Sequence, residues 1–135
     1  MSITKLDHIA IAVQDVESSA DLWVKTLGLD AGVVEVLADR GVRLCKLTAD
    51  RVPDLELVAP LGEDSPIARF IARKGEGIHH ICFEVRNIEQ SLEDLKRKGV
   101  RLVHERPVEG GEGRRIAFIH PQSLGGVLIE LIEQD

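Results

Sequence analysis

Two histidines and two glutamates recur at matched places in the chain. His8 lies in LDHIAIAV and His80 in IHHICFEV, and aligning these segments superimposes the two histidines. Glu56 in LELVAP and Glu130 in LIELIEQD each alternate with apolar residues, as strand residues do. The histidines are 72 positions apart and the glutamates 74, so both pairs follow one internal repeat. A lone histidine in an apolar strand is usually a hydrogen-bonded core residue, but four polar residues that obey one repeat need a common explanation.

A divalent metal ion would explain these four residues. Two neutral imidazoles and two carboxylates balance a 2+ charge and leave coordination positions open, as a catalytic site requires. Mixed nitrogen and oxygen ligands suit Co²⁺, Ni²⁺, Mn²⁺, Fe²⁺ or Zn²⁺, and affinity rules do not choose among them. His79 points to the other face of its strand from His80, because side chains alternate, so we expect a structural role for it.

The elements that must position these residues also follow the repeat. Each histidine segment is followed by an amphipathic helix, capped by Asp15 in one copy and by an Asn87 and Gln90 capping box in the other. Three further strands are predicted after each helix, at about 32–37, 42–48 and 54–59, then at about 101–104, 114–120 and 126–132. The order is βαβββ, twice.

The two modules should form one domain. Module one covers about 4–60, a linker helix about 63–75 and module two about 76–134; Ser65 is the predicted cap of the linker helix and Gly75 its end. Neither module has enough apolar surface to cover both sides of its own sheet. We therefore predict an α+β fold in which the modules form a curved half-barrel sheet around a metal site.

Composition limits the partners and the compartment. The 135 residues are 44% hydrophobic and 30% charged, as in a soluble globular domain. Cys45 and Cys82 should be free thiols, and no apolar run suits a signal peptide or a membrane span, so we expect a cytoplasmic protein. A net charge of −6, no long basic cluster and no tyrosine argue against nucleic acid as a partner, and we expect no membrane partner.

Several longer motifs resemble one known family. LDHIAIAV, LELVAPLGEDSPIARF, GEGIHHICFEV, GVRLVHERP, RIAFIHP and GGVLIELIE are similar to motifs of the vicinal oxygen chelate superfamily and, within it, of the methylmalonyl-CoA epimerases. The similarity runs from Leu6 to Glu133. It implies a metal-dependent isomerase that interconverts (R)- and (S)-methylmalonyl-CoA by removing the C2 proton through a metal-stabilised enolate. It also implies a homodimer and metal ligands His8, Glu56, His80 and Glu130, where some members have Gln in place of Glu56; we expect Co²⁺ as the ion.

The proton carriers are less completely matched. Glu130 is the candidate for one base. For the second, some bacterial epimerases carry a glutamate where this chain has Leu44, and Lys46, two residues on and facing the same way, could replace it. Glu56 or a water on the metal could serve instead, and Lys46 could also simply extend to solvent.

Contacts with the rest of the substrate are expected near the end of module two. Gln122 stands where the family often has lysine, and the nearby Arg114 and Arg115 could supply positive charge to a substrate. His120, which ends a strand, could lie at the rim of the cleft.

Two other functions use the same fold. Glyoxalase I would use the same ligands to isomerise the hemithioacetal of methylglyoxal and glutathione. A non-catalytic ligand-binding module is the other alternative, but such proteins generally lack a complete ligand set.

Overall fold

The computed structural model describes residues 1–110 and 113–135, which form two compact units. The first unit is residues 8–79, and the second is residues 1–7 with residues 80–135. The strands are β1 (Ile3–Ala12), β2 (Asp30–Ala31), β3 (Glu35–Leu37), β4 (Val42–Thr48), β5 (Asp54–Pro60), β6 (Gly77–Val85), β7 (Val108–Glu109), β8 (Arg115–Ile119) and β9 (Ile129–Glu133). The helices are α1 (Val16–Leu27), α2 (Pro66–Lys74) and α3 (Ile88–Arg97). The fold is α+β, as predicted. None of the helices in the described ranges combines the length and the apolar character that crossing a membrane needs.

The two helices of the first unit begin at the predicted caps. The Asp15 side chain accepts hydrogen bonds from the amides of Glu17 and Ser18, which α1 itself cannot satisfy. Ser65 accepts from the Ile67 amide in the same way at the start of α2. Gly75, at φ 80°, ends α2 in the left-handed region, which favours glycine. Helix α2 lies within the range predicted for the linker helix, and it belongs to the first unit.

The sheet of the first unit runs in the order β2, β4, β5, β1, with β3 also paired to β4. The β4–β5 pair is antiparallel and the β5–β1 pair is parallel. One face packs on α1 through a cluster that includes Val16, Ala20 and Leu57. The opposite face packs on α2 through Leu44, Val58 and Ile67 among others. Helices thus contact both faces of this sheet.

The sheet of the second unit runs in the order β6, β9, β8, β7. The β6–β9 pair is parallel and the other two pairs are antiparallel. Helix α3 buries Ile88, Leu92 and Leu95 against the face that carries Leu131 and Ala117.

The capping box predicted for α3 is half formed. The Asn87 side chain accepts from the Gln90 amide, as expected. The Gln90 side chain does not return the bond but donates to Asp94 one turn further along the helix. The predicted cap is confirmed, while the predicted reciprocal contact is wrong, because the Gln90 side chain pairs with Asp94 on the same helix face.

Two strand predictions need correction. Residues 101–104 form only an isolated bridge, between Leu102 and Ile119. The backbone of Arg101 instead bonds the Ser123 hydroxyl and the His120 amide, so no ladder continues through it. The predicted strand at 32–37 is interrupted at residues 32–34, where Gly32 still donates to the Lys46 carbonyl but the neighbouring residues leave the sheet.

Candidate metal centre

His8 and Glu56 face each other within the first unit. They lie on the parallel strands β1 and β5, where Glu56 is paired with Ala10, two residues beyond the histidine. Because side chains alternate, His8 and Ala10 share a face, and so does Glu56. The distance from His8 Nε2 to Glu56 Oε1 is 3.6 Å, and the side chains are 8% and 14% exposed. An almost buried imidazole and carboxylate therefore point at one another.

The second unit repeats this arrangement. His80 lies on β6 and Glu130 on the parallel strand β9, where Glu130 is paired with Cys82, again two residues beyond the histidine. The distance from His80 Nε2 to Glu130 Oε1 is 3.0 Å, and the side chains are 12% and 6% exposed. The repeat deduced from residue spacing is thus present in the strand register as well.

Each pair fits the donor geometry of a divalent ion. Two ligands with bonds of about 2.1 Å to one ion, at right-angled or tetrahedral positions, lie roughly 3.0–3.4 Å apart. The nitrogen–oxygen distances of 3.6 Å and 3.0 Å are close to that range. Imidazole with carboxylate is also a donor set that borderline divalent ions accept. Neither pair needs a large rearrangement to supply two neighbouring ligands.

The third strand distinguishes the two units. In the first unit, Lys46 on β4 lies opposite Glu56, and Leu44 lies two residues away on the same face. In the second unit, Phe118 on β8 holds the place opposite Glu130. Leu44 is 6% exposed within an apolar cluster, whereas Lys46 is half-buried. The side chain nearest in register to Glu56 therefore ends in an amine, and the one nearest to Glu130 is an aromatic ring.

Both candidate arginines contact carboxylates of the second unit. Arg114 Nη2 donates to Glu84 at 3.0 Å, and Arg114 Nη1 lies 3.6 Å from Asp7. The hydrogen bonds of Arg115 with Glu89 and Glu133 raise its pKa above the usual value. An anionic substrate group would have to share these guanidinium groups with the carboxylates.

His120 serves the backbone after β8. Its Nδ1 accepts a hydrogen bond from the Gln122 amide at 3.1 Å, which caps the 3₁₀ turn Pro121–Leu124. The Gln122 side chain accepts in turn from Arg101 Nη1 at 2.6 Å. A guanidinium group is therefore held beside Gln122.

His79 contacts a helix of its own unit. Its ring meets Phe70 of α2 edge-on, with centroids 4.9 Å apart. This contact agrees with a structural role for His79.

Two contacts of Phe118 were not predicted from the sequence. Phe118 packs edge-on against His80, with centroids 5.3 Å apart and an interplanar angle of 87°. His104 is half-buried and accepts a hydrogen bond from the Phe118 amide. The repeat carried a usable signal for the first contact, since Phe118 is 72 positions from Lys46, the spacing of the two histidines.

Comparisons with known proteins agree with this architecture. Residues 7–118 match the Glyoxalase/Bleomycin resistance protein/Dioxygenase superfamily. The chain is 40% identical over 131 residues to the mitochondrial methylmalonyl-CoA epimerase of Homo sapiens, covering 96% of this chain and 74% of that protein. It is also 40% identical to the ethylmalonyl-CoA/methylmalonyl-CoA epimerase of Cereibacter sphaeroides, over 96% of this chain and 97% of the relative. A solved Streptomyces coelicolor methylmalonyl-CoA epimerase variant, in complex with 2-nitronate-propionyl-CoA, matches with a TM-score of 0.90 at 35% identity, covering 98% of this chain and 96% of that chain.

These matches identify both the superfamily of the chain and its family within that superfamily. The profile match covers most of the sequence, and the fold has the expected pair of strand-and-helix repeats. The chain therefore belongs to the Glyoxalase/Bleomycin resistance protein/Dioxygenase superfamily. Within it, the chain belongs to the methylmalonyl-CoA epimerase family, so the family predicted from the motifs is confirmed.

Proposed function

We propose that the protein is an epimerase that interconverts (R)- and (S)-methylmalonyl-CoA by removing the C2 proton and returning one to the opposite face. The observation that carries the proposal is the repeated His–Glu contact, present in both units of a chain that belongs to this family. The ligand of the Streptomyces coelicolor enzyme supports an acyl-CoA substrate. A nitronate is a planar delocalised anion, as is the enolate that loss of the C2 proton would generate.

The proposed metal ligands are His8, Glu56, His80 and Glu130. Their support is the matched register and the donor distances within each unit. A bound divalent ion, Co²⁺ in this proposal, would act as a Lewis acid that stabilises negative charge on the substrate oxygens. The imidazoles would bind through Nε2, because in each unit Nε2 is the nitrogen facing the glutamate.

Glu130 and Lys46 are the proposed proton carriers. Glu130 is 5% exposed and next to His80, so it can take a proton where water competes little. Lys46 is half-buried opposite Glu56 and would act on the other face as a neutral amine that becomes an ammonium. Leu44 cannot exchange a proton. Glu56 is the alternative second carrier.

Three further residues are proposed to bind the substrate, and an oligomeric state and a compartment are proposed as well. Arg114, Arg115 and His120 are proposed to contact the acyl-CoA, the arginines through guanidinium groups that also bind the carboxylates of Glu84 and Glu133. A homodimer is proposed from the family resemblance, and a cytoplasmic location from the free thiols of Cys45 and Cys82. Light scattering of the purified protein tests the dimer directly.

Deuterium exchange tests the function. Methylmalonyl-CoA would be incubated in heavy water with protein stripped by EDTA and with the same protein refilled with Co²⁺, and C2 followed by proton NMR. We expect deuterium exchange at C2 and inversion of its configuration only with the Co²⁺-refilled protein. Ethylmalonyl-CoA serves as a second acyl-CoA, and the hemithioacetal of methylglyoxal and glutathione as the control. Turnover of the hemithioacetal without exchange of either acyl-CoA would contradict the proposal and favour glyoxalase I.

A further inference from the structure

The imidazole of His80 is enclosed on two sides within the second unit. Glu130 Oε1 lies 3.0 Å from its Nε2. The ring of Phe118 meets it nearly perpendicularly, at 87° and 5.3 Å between centroids. An edge-to-face contact of this kind is directional, because the positive edge of one ring meets the negative face of the other. It therefore limits rotation of the imidazole plane as well as its position.

Phe118 is itself fixed by a short segment that follows helix α3. Its amide donates to His104 Nδ1 at 3.0 Å, and its carbonyl accepts from the Val103 amide at 2.9 Å. The His104 ring also contacts the Phe118 ring, with centroids 5.8 Å apart. Residues 101–104 do not form a strand, yet Val103 and His104 both donate to the Phe118 carbonyl, and Leu102 forms an isolated bridge with Ile119. This segment thus supports the residue that touches His80.

The corresponding position in the first unit holds a different kind of residue. The position that corresponds to Phe118 there is Lys46, opposite Glu56. The exposed fractions of His8 and His80 are similar, at 8% and 12%. The two imidazoles therefore differ in the chemistry beside them rather than in burial.

We propose that Phe118 is a positioning residue: it orients the His80 imidazole so that Nε2 faces Glu130, and His104 holds Phe118 in place for this task. The inference rests on the proposed function only where it treats His80 as a metal ligand. Residues outside the ligand set that hold a ligand ring typically change metal affinity by 10- to 100-fold when they are replaced. Phe118 acts through His80 and is not assigned contact with the substrate.

Three variants test the proposal. Phe118→Leu removes the flat ring but keeps an apolar side chain, and Phe118→Tyr keeps the ring. Phe70→Leu is the matched control, because Phe70 makes the same kind of edge contact at 4.9 Å with His79, the neighbouring histidine. Histidine ring signals of the apoprotein would be recorded by ¹H–¹³C NMR, with His80 assigned through His80→Gln. The Kd for Co²⁺ would be measured by titration, and circular dichroism would verify folding.

The expected pattern separates the two histidines. In Phe118→Leu, the single His80 signal should broaden or double and the Kd for Co²⁺ should rise about tenfold or more. Phe118→Tyr should stay within about twofold of the parent Kd. Phe70→Leu should change the His79 signal and leave both the His80 signal and the Kd near their parent values.

The outcomes distinguish this inference from the proposed function. A sharp single His80 signal or an unchanged Kd in folded Phe118→Leu overturns the positioning role. If the parent protein binds no Co²⁺, the proposed metal site fails, and the NMR comparison of Phe118→Leu with Phe70→Leu still decides whether Phe118 orients His80.

Discussion

The His–Glu pair of the first unit and that of the second share a strand register but not their surroundings. Glu56 lies opposite Lys46, and Glu130 lies opposite Phe118. The glutamate beside the lysine is 14% exposed, and the one beside the phenylalanine 6%. An internal repeat can therefore keep two equivalent His–Glu pairs while the neighbouring position diverges. This difference suits an epimerase, since the two faces of a substrate carbon can be served by chemically different groups.

Replacing Glu130 and Glu56 by glutamine, one at a time, tests whether the two glutamates have different roles, and it should give the strongest losses of activity. Glu130→Gln should slow deuterium exchange at C2 by about 10³-fold, because a proton carrier typically contributes 10²–10⁴-fold. Glu56→Gln should slow it by only about tenfold, since it loses a ligand charge but no proposed base. The rates would be measured at saturating Co²⁺, with metal content determined in the same samples. Equal losses in both variants would remove the distinction between the pairs.

The second prediction concerns the stability of the apolar clusters next to the two His–Glu pairs. Leu57 follows Glu56 and Leu131 follows Glu130, and their exposed fractions are 0% and 1%. Leu57→Ala and Leu131→Ala should each lower the free energy of unfolding by about 3 kcal/mol, because each leaves a cavity in a packed cluster. Urea denaturation measures both.

Leu22→Ala is the control for this pair, since Leu22 on α1 is 64% exposed. It should change the free energy of unfolding by less than about 0.5 kcal/mol. If the losses from Leu57→Ala and Leu131→Ala differed by more than about 2 kcal/mol, the two units would not be equivalent in packing.

A smaller effect is expected at the position where the units differ. Lys46→Met should slow exchange from one epimer by about 10- to 100-fold and from the other by less, because only one face would lose its proton carrier. The (R) and (S) epimers would be assayed separately, with Lys25→Met, on the exposed surface of α1, as the control. Unchanged exchange from both epimers would exclude Lys46 as a base and favour Glu56.

Much of this comparison was available from the sequence, because strand alternation and helix caps are local. The positions of Asp15, Ser65 and Asn87 at helix starts follow from their own side chains and the next few residues. The His and Glu spacing likewise reports the repeat directly. The contacts of His104 with Phe118 depend on residues 101–104, which hydrogen-bond to β8 without forming a regular strand. No local sequence pattern predicts such an arrangement.

The partners of long charged side chains were also beyond the sequence. Arg114 and Arg115 are adjacent and chemically alike, yet one contacts Glu84 and Asp7 while the other contacts Glu133 and Glu89. Arg115 begins β8 and Arg114 directly precedes it, and the two side chains meet different carboxylates. Sequence could supply the positive charges but not which acids they meet.

The pH dependence of stability should differ slightly between the two units, and Glu133 is the residue to change in the second unit. Burial raises the pKa of this carboxyl, but the Ile88 amide and Arg115 outweigh burial and hold the pKa below its ordinary value of 4.5. A carboxyl with a lowered folded pKa contributes stability above its unfolded pKa and loses that contribution as the pH falls through the folded value. Glu133→Gln should therefore cost less than about 1 kcal/mol at pH 7 and flatten the loss of stability below pH 4.5.

Glu17→Gln gives the matched measurement in the first unit, where Arg43 holds the pKa of Glu17 below its ordinary value at a more exposed site. Solvent and salt screen the Glu17 pair more strongly, because its carboxylate is 54% exposed against 22% for Glu133. The dependence of urea unfolding on pH, recorded at low and high salt, should therefore change less in Glu17→Gln than in Glu133→Gln. A larger change in Glu17→Gln would contradict the expectation that solvent screens the more exposed Arg43–Glu17 pair more strongly.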